Sequence, residues 1–227
     1  MLFGLIKDIF SRRNLRSDAE ASDPRSSVKR VLNVGGGSKF IRIPKHYDGW
    51  QHDLLDIDPA GQPDLVCDAR ELTKLNGGIY DAIYCSHNLE HYYRHDGLNV
   101  VKGFHHMLNE TGFAEIRVPD LVQVVNALVE RQLDLDDELY RSSAGPISAH
   151  DVIYGLQTQI KNSGQDFYAH KTGFTSLSLI RMLKEGGFEK LFFVNDEPLA
   201  LHAFAFKTEP TQEQHALLGQ ALTFEAS

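Results

Sequence analysis

Cysteine is nearly absent. Only Cys67 and Cys85 occur in 227 residues, and no Cys-x-x-Cys pair exists, which removes the common zinc motifs. Each lies in an apolar run, Leu65-Val66-Cys67 and Ile83-Tyr84-Cys85. Both read as reduced core thiols, and the expected compartment is the reducing cytoplasm. On these grounds no metal is expected. Long apolar runs are missing as well; nothing approaches the ~20 residues of a membrane span. Basic residues at the start follow the apolar part, and no small-residue cleavage site is evident, so a signal peptide is not expected. Positive charge is also in deficit, with 23 Lys and Arg against 31 Asp and Glu and a formal net charge of -8. Gripping nucleic acid through bulk charge is therefore excluded.

What remains is an ordinary globular balance, 42% hydrophobic and 24% charged. Residues 2–13 have an amphipathic helical pattern with Leu2, Ile6, Ile9 and Phe10 on one face. Such a short helix is marginal alone in water. It reads as a docking segment for protein, with an anionic membrane surface as the alternative. Asn14 to Ser27 is polar and reads as a linker, which sets 1–27 apart. The folded domain is expected over 28–209, and 210–227 is left as a C-terminal tail.

Strand and helix patterns alternate from Val28 onward. Strands are expected at 30–34, 54–57, 65–67, 79–85, 113–118, 190–194 and 199–206. Asp96 is placed as the cap of a helix whose stripe is Leu98, Val101, His105 and Leu108, ended by Asn109 to Gly112. Asp120 caps another, running to Arg131, and a further helical stretch covers 148–161. Thr175 caps a helix stopped by Gly186-Gly187. Alternation of this kind implies an α/β, Rossmann-like, doubly wound sheet of seven mostly parallel strands. The stretch of about 120–165 is too long for a plain connection and reads as an inserted helical cap. In such sheets a ligand sits beyond the carboxyl ends of the strands, where strand order reverses.

The chemistry-bearing residues fall at those ends. Val31-Leu32-Asn33-Val34-Gly35-Gly36-Gly37-Ser38 is a strand entering a glycine turn, and glycines serve where backbone approaches a ligand or takes positive φ. The turn lacks the Lys-Ser/Thr of a nucleoside-triphosphate loop. Leu54-Leu55-Asp56-Ile57-Asp58-Pro59 follows; a carboxylate there, Asp56, can accept from both hydroxyls of a ribose. Asp58 reads instead as a turn residue before Pro59. Asp68, after Leu65-Val66-Cys67, can take an adenine amino group or cap the helix that begins at Ala69. Together these features select a nucleoside-bearing cofactor without selecting which one.

A fourth stretch narrows the choice. Tyr80-Asp81-Ala82-Ile83-Tyr84-Cys85-Ser86-His87-Asn88-Leu89-Glu90-His91 resembles the segment around strand four of class I S-adenosylmethionine-dependent methyltransferases of the type 11 kind. Leu108-Asn109-Glu110-Thr111-Gly112-Phe113, Val118-Pro119-Asp120, and the run from His170-Lys171-Thr172-Gly173-Phe174-Thr175 to Gly186-Gly187-Phe188 fit that family's order, so the resemblance spans about 31–207. It implies S-adenosylmethionine as cofactor. Asn33, Gly35 and Gly37 would line its methionine part, Asp56 and Ile57 its ribose, and Asp68 and Ala69 its adenine, with Ser86 and His87 facing the transfer site. Asn33 stands where many members carry an acid. The short stretch from Ser38 to Trp50, with Pro44, leaves no room for the usual helix after the glycine turn.

The expected activity is methyl transfer to a small-molecule or glycan-type acceptor. A nicotinamide oxidoreductase or a non-catalytic nucleoside-binding module would share part of the pattern. His91 and His170, beside strand-end turns, are the candidates for handling the acceptor's proton. Tyr92, His150 and Tyr154 are the candidates for contacting the acceptor. The acidic run Asp134, Asp136, Asp137 and Glu138 reads as a solvated face.

Overall fold

The computed structural model describes residues 28–142 and 145–223. The N-terminal segment 1–27 lies outside the described residues. Strands β1 (Arg30–Val34), β2 (Gln51–Asp56), β3 (Leu65–Val66), β4 (Tyr80–Ser86) and β5 (Leu108–Pro119) come first. A hairpin, β6 (Glu138–Ser142) and β7 (Gly145–Ser148), stands apart, and β8 (Lys190–Val194) and β9 (Ala200–Phe206) complete the set. The main sheet has seven strands in the order β3-β2-β1-β4-β5-β9-β8, parallel except for β9, which runs antiparallel to both neighbours. Strand order reverses between β1 and β4, so the cleft for a ligand belongs there.

Alternation along the strands decides the two faces. Leu32, Ile83, Cys85, Ala114 and Ile116 point to one side, where α1 (Arg94–Met107) and α5 (Ser176–Glu185) cover them. Val31, Ala82, Phe113, Phe204 and Phe206 point to the other. That second face is closed partly by α6 (Gln212–Leu218) and the turn Gly219–Leu222, with Leu218 and Leu222 buried among the phenylalanines. The expected tail over 210–227 is therefore corrected up to Leu222: this part of the chain is a wall of the core. Burying a leucine stabilises by roughly 1.5–3 kcal/mol, enough to hold so short a helix in place.

The segment between β1 and β2 contains only a single 3-10 turn, Lys45–Tyr47, as Pro44 and the short span require. The sheet holds that turn through a buried polar network. Glu115, in the middle of β5 and 0% exposed, accepts from Tyr47 Oη at 2.9 Å and lies 2.8 Å from His46 Nε2 and 3.0 Å from His202 Nε2. Burial pushes its pKa up, but the hydrogen bonds from His202 and His46 outweigh that and hold the carboxyl at about 2.

Local signals place most helices. Asp120 caps α2 (Leu121–Arg131) through Val122 N at 2.9 Å, and Thr175 closes a capping box with Ser178 at the start of α5. The helix α1 instead starts at Arg94 without a side-chain cap, and Asp96 sits in its first turn. Its buried stripe is Gly97, Val100, Val101, Phe104 and Met107, one step round from the expected one, and β5 begins directly at Leu108. The insertion is not purely helical. α2, the β6–β7 hairpin and α3 (Ala149–Tyr154) share a small core of Val124, Ala127, Leu139, Ile147, Ala149 and Val152, and α4 (Gln157–Ser163) follows. The acidic run lies exposed at the rim of this unit.

Candidate active site

A cleft of about 960 Å³ opens at the carboxyl ends of β1, β2 and β4, beneath the inserted cap. Its size is that of a site for a drug-sized ligand. The glycine turn forms the floor. Gly35 and Gly37 have φ of +72° and +67°, and a Cβ on Gly35 would overlap the Asn88 side chain. Asn33 is 2% exposed beneath Gly36, and it reaches the cleft wall.

Asp56 ends β2 at the cleft with its carboxylate held by the loops: Oδ2 accepts from Gly37 N and Oδ1 from Asp58 N, each at 2.9 Å. One lone pair on each oxygen remains for a ligand hydroxyl. Ile57, half-exposed beside it, adds an apolar wall. Asp58 is the turn residue its proline suggests, accepting from Ala60 N at 2.9 Å, and it also accepts from Tyr168 Oη at 3.2 Å across the cleft.

Asp68 reaches the cleft but is committed to capping Arg70 N and to pairing with the Arg70 guanidinium at 2.6 Å. The Arg70 side chain, first through its hydrogen bonds, keeps that carboxyl below its ordinary range. Ala69 is 1% exposed and packs in the main core. Its side chain is therefore withdrawn from the cofactor candidates; the helical turn it starts aims Cβ at the sheet.

Ser86 and His87 line the cleft at the end of β4, where His87 takes φ +50° and its N–H donates to Arg117 O at 2.9 Å. The structure then brings together what the chain separates by 79 residues. His91, on the turn Leu89–His91, and His170 stack edge to face with ring centroids 4.7 Å apart. Both line the cleft, as does Tyr92. The backbone enforces the approach: Lys171 N and Thr172 N donate to Glu90 O, and His170 N donates to Tyr154 O.

Beside the two imidazoles sits a residue that the motif contained but the reading of it passed over. Glu90 is 1% exposed, and neither carboxylate oxygen has a hydrogen-bond partner. His87 Nδ1 is 3.5 Å and His170 Nε2 4.0 Å from its Oε1. Burial raises the Glu90 pKa, but the neighbouring histidines, His87 foremost, bring it below the ordinary value. Burial, reinforced by His91, holds the His170 pKa down and favours its neutral ring. Glu90, His91 and His170 each offer one ligand atom, all within 4.8 Å of one another. Cysteine spacing, which suggested no metal, carries no information about such a cluster.

His150 and Tyr154 do not reach the cleft. Ala149 and Val152 turn inward from α3, so His150 and Tyr154 lie together on its other side, rings 4.9 Å apart, and Tyr154 is half-exposed. The cap instead offers Leu156, Gln159, Phe167 and Tyr168 to the cleft. Gly155, at φ +94°, permits this by letting the chain turn where a Cβ would meet Tyr168 O. Arg42, exposed in the cleft lining, has no ion pair among the described residues.

No helix among the described residues is long and apolar enough to cross a membrane. No protein-family model matches the chain, and no curated protein matches its sequence. Solved structures do match. A SAM-dependent methyltransferase from Archaeoglobus fulgidus aligns at 16% identity and TM-score 0.50, over 79% of this chain and 86% of that one. An S-adenosylmethionine dependent methyltransferase from Mesorhizobium loti aligns at 17% identity and TM-score 0.50, over 78% and 90%. The CurJ carbon methyltransferase aligns at 12% identity and TM-score 0.51, over 82% of this chain and half of that one. The seven-stranded sheet with flanking helices is the fold of these methyltransferases.

Proposed function

We propose that the chain is an S-adenosylmethionine-dependent methyltransferase acting on a small-molecule or glycan-type acceptor. The observation that carries the reading is the place of the cleft: at the reversal of strand order, with the Gly35–Gly37 turn and the Asp56 carboxylate meeting at its floor. The residues fit the cofactor. Asp56 keeps acceptor capacity for a ribose diol, and Ile57 offers the adjoining apolar surface. Arg42 is the cation available to the carboxylate of the methionine part, in a protein that lacks a helix N-terminus there. Asn88 Oδ1, buried without a partner beneath the turn, is an acceptor for its amino group.

Bound S-adenosylmethionine supplies an activated methyl group; the chain supplies binding, orientation and a site from which water is excluded. Orientation alone is worth roughly 7–11 kcal/mol of a transfer barrier. The acceptor lies on the cap side of the cleft, between Tyr92 and the cap residues Phe167 and Tyr168. Glu90, His91 and His170 form the polar end of that space and position the acceptor group.

Calorimetric titration tests the reading. The protein is expected to take up S-adenosylmethionine, or its demethylated product, and not NAD. NAD uptake alone would transfer the same floor to a nicotinamide oxidoreductase. Failure to bind either would sink the proposal.

A further inference from the structure

We propose that Glu90, His91 and His170 bind a divalent transition-metal ion, with zinc as the preferred occupant, at the acceptor side of the cleft. The first support is the carboxylate. Glu90 is 1% exposed with no hydrogen bond to either oxygen. Its neighbours His87 Nδ1 at 3.5 Å and His170 Nε2 at 4.0 Å make no hydrogen bond to it. A buried charge so poorly satisfied is costly, and a coordinated cation removes the cost.

The second support is the direction of the imidazoles. His170 Nδ1 lies 2.9 Å from Val152 O, and His91 Nδ1 lies 3.3 Å from Ala169 O. A carbonyl can only accept, so Nδ1 carries the proton in each ring. In the neutral form of each ring, Nε2 is then the lone-pair nitrogen. Metal-binding histidines are held in this way, with the second nitrogen donating to a backbone carbonyl that sets tautomer and orientation. Two imidazoles and one carboxylate form the three-ligand set of sites that keep open positions for substrate.

Distance is the third. The ligand atoms lie within 4.8 Å of one another, whereas ligands around one zinc-like ion stand roughly 3–3.5 Å apart, given bonds of about 2.0–2.2 Å. Closing the widest gap takes about 1.3–1.8 Å, and Glu90, which has no hydrogen bond to break, is the side chain to move. One carboxylate and two neutral rings leave the ion with net positive charge, and its open positions face the cleft. An acceptor with an oxygen donor, such as a hydroxyl or a pair of them, would complete the shell and give up its proton to water in the open cleft more readily on the ion. The acceptor half of this inference rests on the methyltransferase reading; the metal half does not.

The test uses the full chain, stripped with a chelator and then titrated with Co²⁺ by electronic spectroscopy and with Zn²⁺ by calorimetry. One ion per chain is expected. Glu90→Gln, His91→Ala and His170→Ala should each weaken binding at least roughly tenfold, and His150→Ala should leave it unchanged. Circular dichroism confirms that each variant is folded, and any one folded ligand variant with unaltered affinity overturns the assignment. So does a wild-type chain that takes up no ion. Nitrogen-15 spectra of the metal-free protein give a second reading: a ring of His87, His91 or His170 protonated on both nitrogens at pH 8 would mean that a proton, not a metal, compensates Glu90. Titration with S-adenosylmethionine keeps the two proposals apart. Cofactor uptake without metal uptake overturns this site alone; metal uptake without cofactor uptake supports this site and overturns the methyltransferase reading.

Discussion

Glu115 and Glu90 are both buried glutamates, 0% and 1% exposed, and they sit in opposite circumstances. Glu115 lies on the closed face of the sheet and has Tyr47, His46 and His202 within 3.0 Å. Glu90 lies at the open end of β4 with no hydrogen bond, its nearest imidazoles standing off at 3.5 and 4.0 Å. Burial of a charge alone therefore does not mark a functional residue. The informative feature is whether the fold has already met its needs. Where it has, the carboxylate holds structure together, here by fastening the 3-10 turn that replaces a helix after the glycine turn. Where it has not, something outside the chain is called for.

The largest effect should come from breaking the satisfied site. Glu115→Ala would leave His46, His202 and the Tyr47 hydroxyl without their acceptor in a dry environment. A loss of about 3–5 kcal/mol is expected, read from urea denaturation. A loss under about 1 kcal/mol would show that the network is spectator to the fold. The same residue sets a pH dependence. Its folded pKa of about 2 lies below the ordinary glutamate value of 4.5, so the native state binds the proton more weakly than the unfolded chain does. That contribution is fully present above pH 4.5 and is lost as pH falls through 4.5 toward 2. Urea midpoints of the wild type and of Glu115→Gln, measured between pH 2 and 7, should therefore converge on the acid side. Parallel curves would remove Glu115 as the cause.

Asp56 stands between the two glutamates, with each oxygen accepting one backbone N–H and each still open to a ligand. Replacing it with alanine should weaken S-adenosylmethionine binding by about 1–3 kcal/mol, the cost of unpaired polar groups. Asp56→Asn, which keeps one acceptor, should fall between alanine and the wild type. Equal affinity in all three would move the ribose contact to Asp58. Glu90→Gln should do much less to the metal-free fold, because no hydrogen bond is lost and the shape is kept. A stability change within about 1 kcal/mol is expected. A loss as large as that of Glu115→Ala would erase the contrast between the two sites.

Much of this was legible in the sequence, and the reason is local periodicity. The seven strands, the glycine turn, the Asp120 and Thr175 caps and the missing helix before Trp50 are all written in runs of a few residues. α6 was not legible. Its segment, Gln212 to Leu218, has Glu213, Gln214 and His215 in a row, and only tertiary packing reveals that Leu218 and Leu222 meet the phenylalanines of the second face. The hairpin inside the cap was missed for a related cause: Glu138, Arg141 and Ser142 do not alternate as a strand should. Among the site residues, Asn33, Gly35, Gly37, Asp56, Ile57, Asp68, Ser86, His87, Tyr92, His91 and His170 do line one cleft. Glu90 stood in plain view beside His91, but whether a charge is buried and unpaired is a property of the folded chain.

The smallest effect is expected where sequence reading went astray. His150 and Tyr154 are acceptor candidates on the sequence, but α3 has only six residues, too few for periodicity to reveal its phase. Ala149 and Val152 take the inward positions, and the capping box of Ser148 with Asp151 sets the helix start. His150 is left to stack on Tyr154 outside the cleft. Its removal takes away one partly exposed ring contact and no side-chain hydrogen bond among the described residues. His150→Ala should therefore change stability by no more than about 0.5 kcal/mol and leave the affinity for S-adenosylmethionine as it was. Tyr168→Phe, on the inner side of the same cap, loses the hydroxyl that reaches Asp58 at 3.2 Å and should alter cofactor affinity measurably. Side-by-side titrations settle which side of the cap faces the ligand. If His150→Ala weakens binding more than Tyr168→Phe, the cap must close over the cleft by its other face.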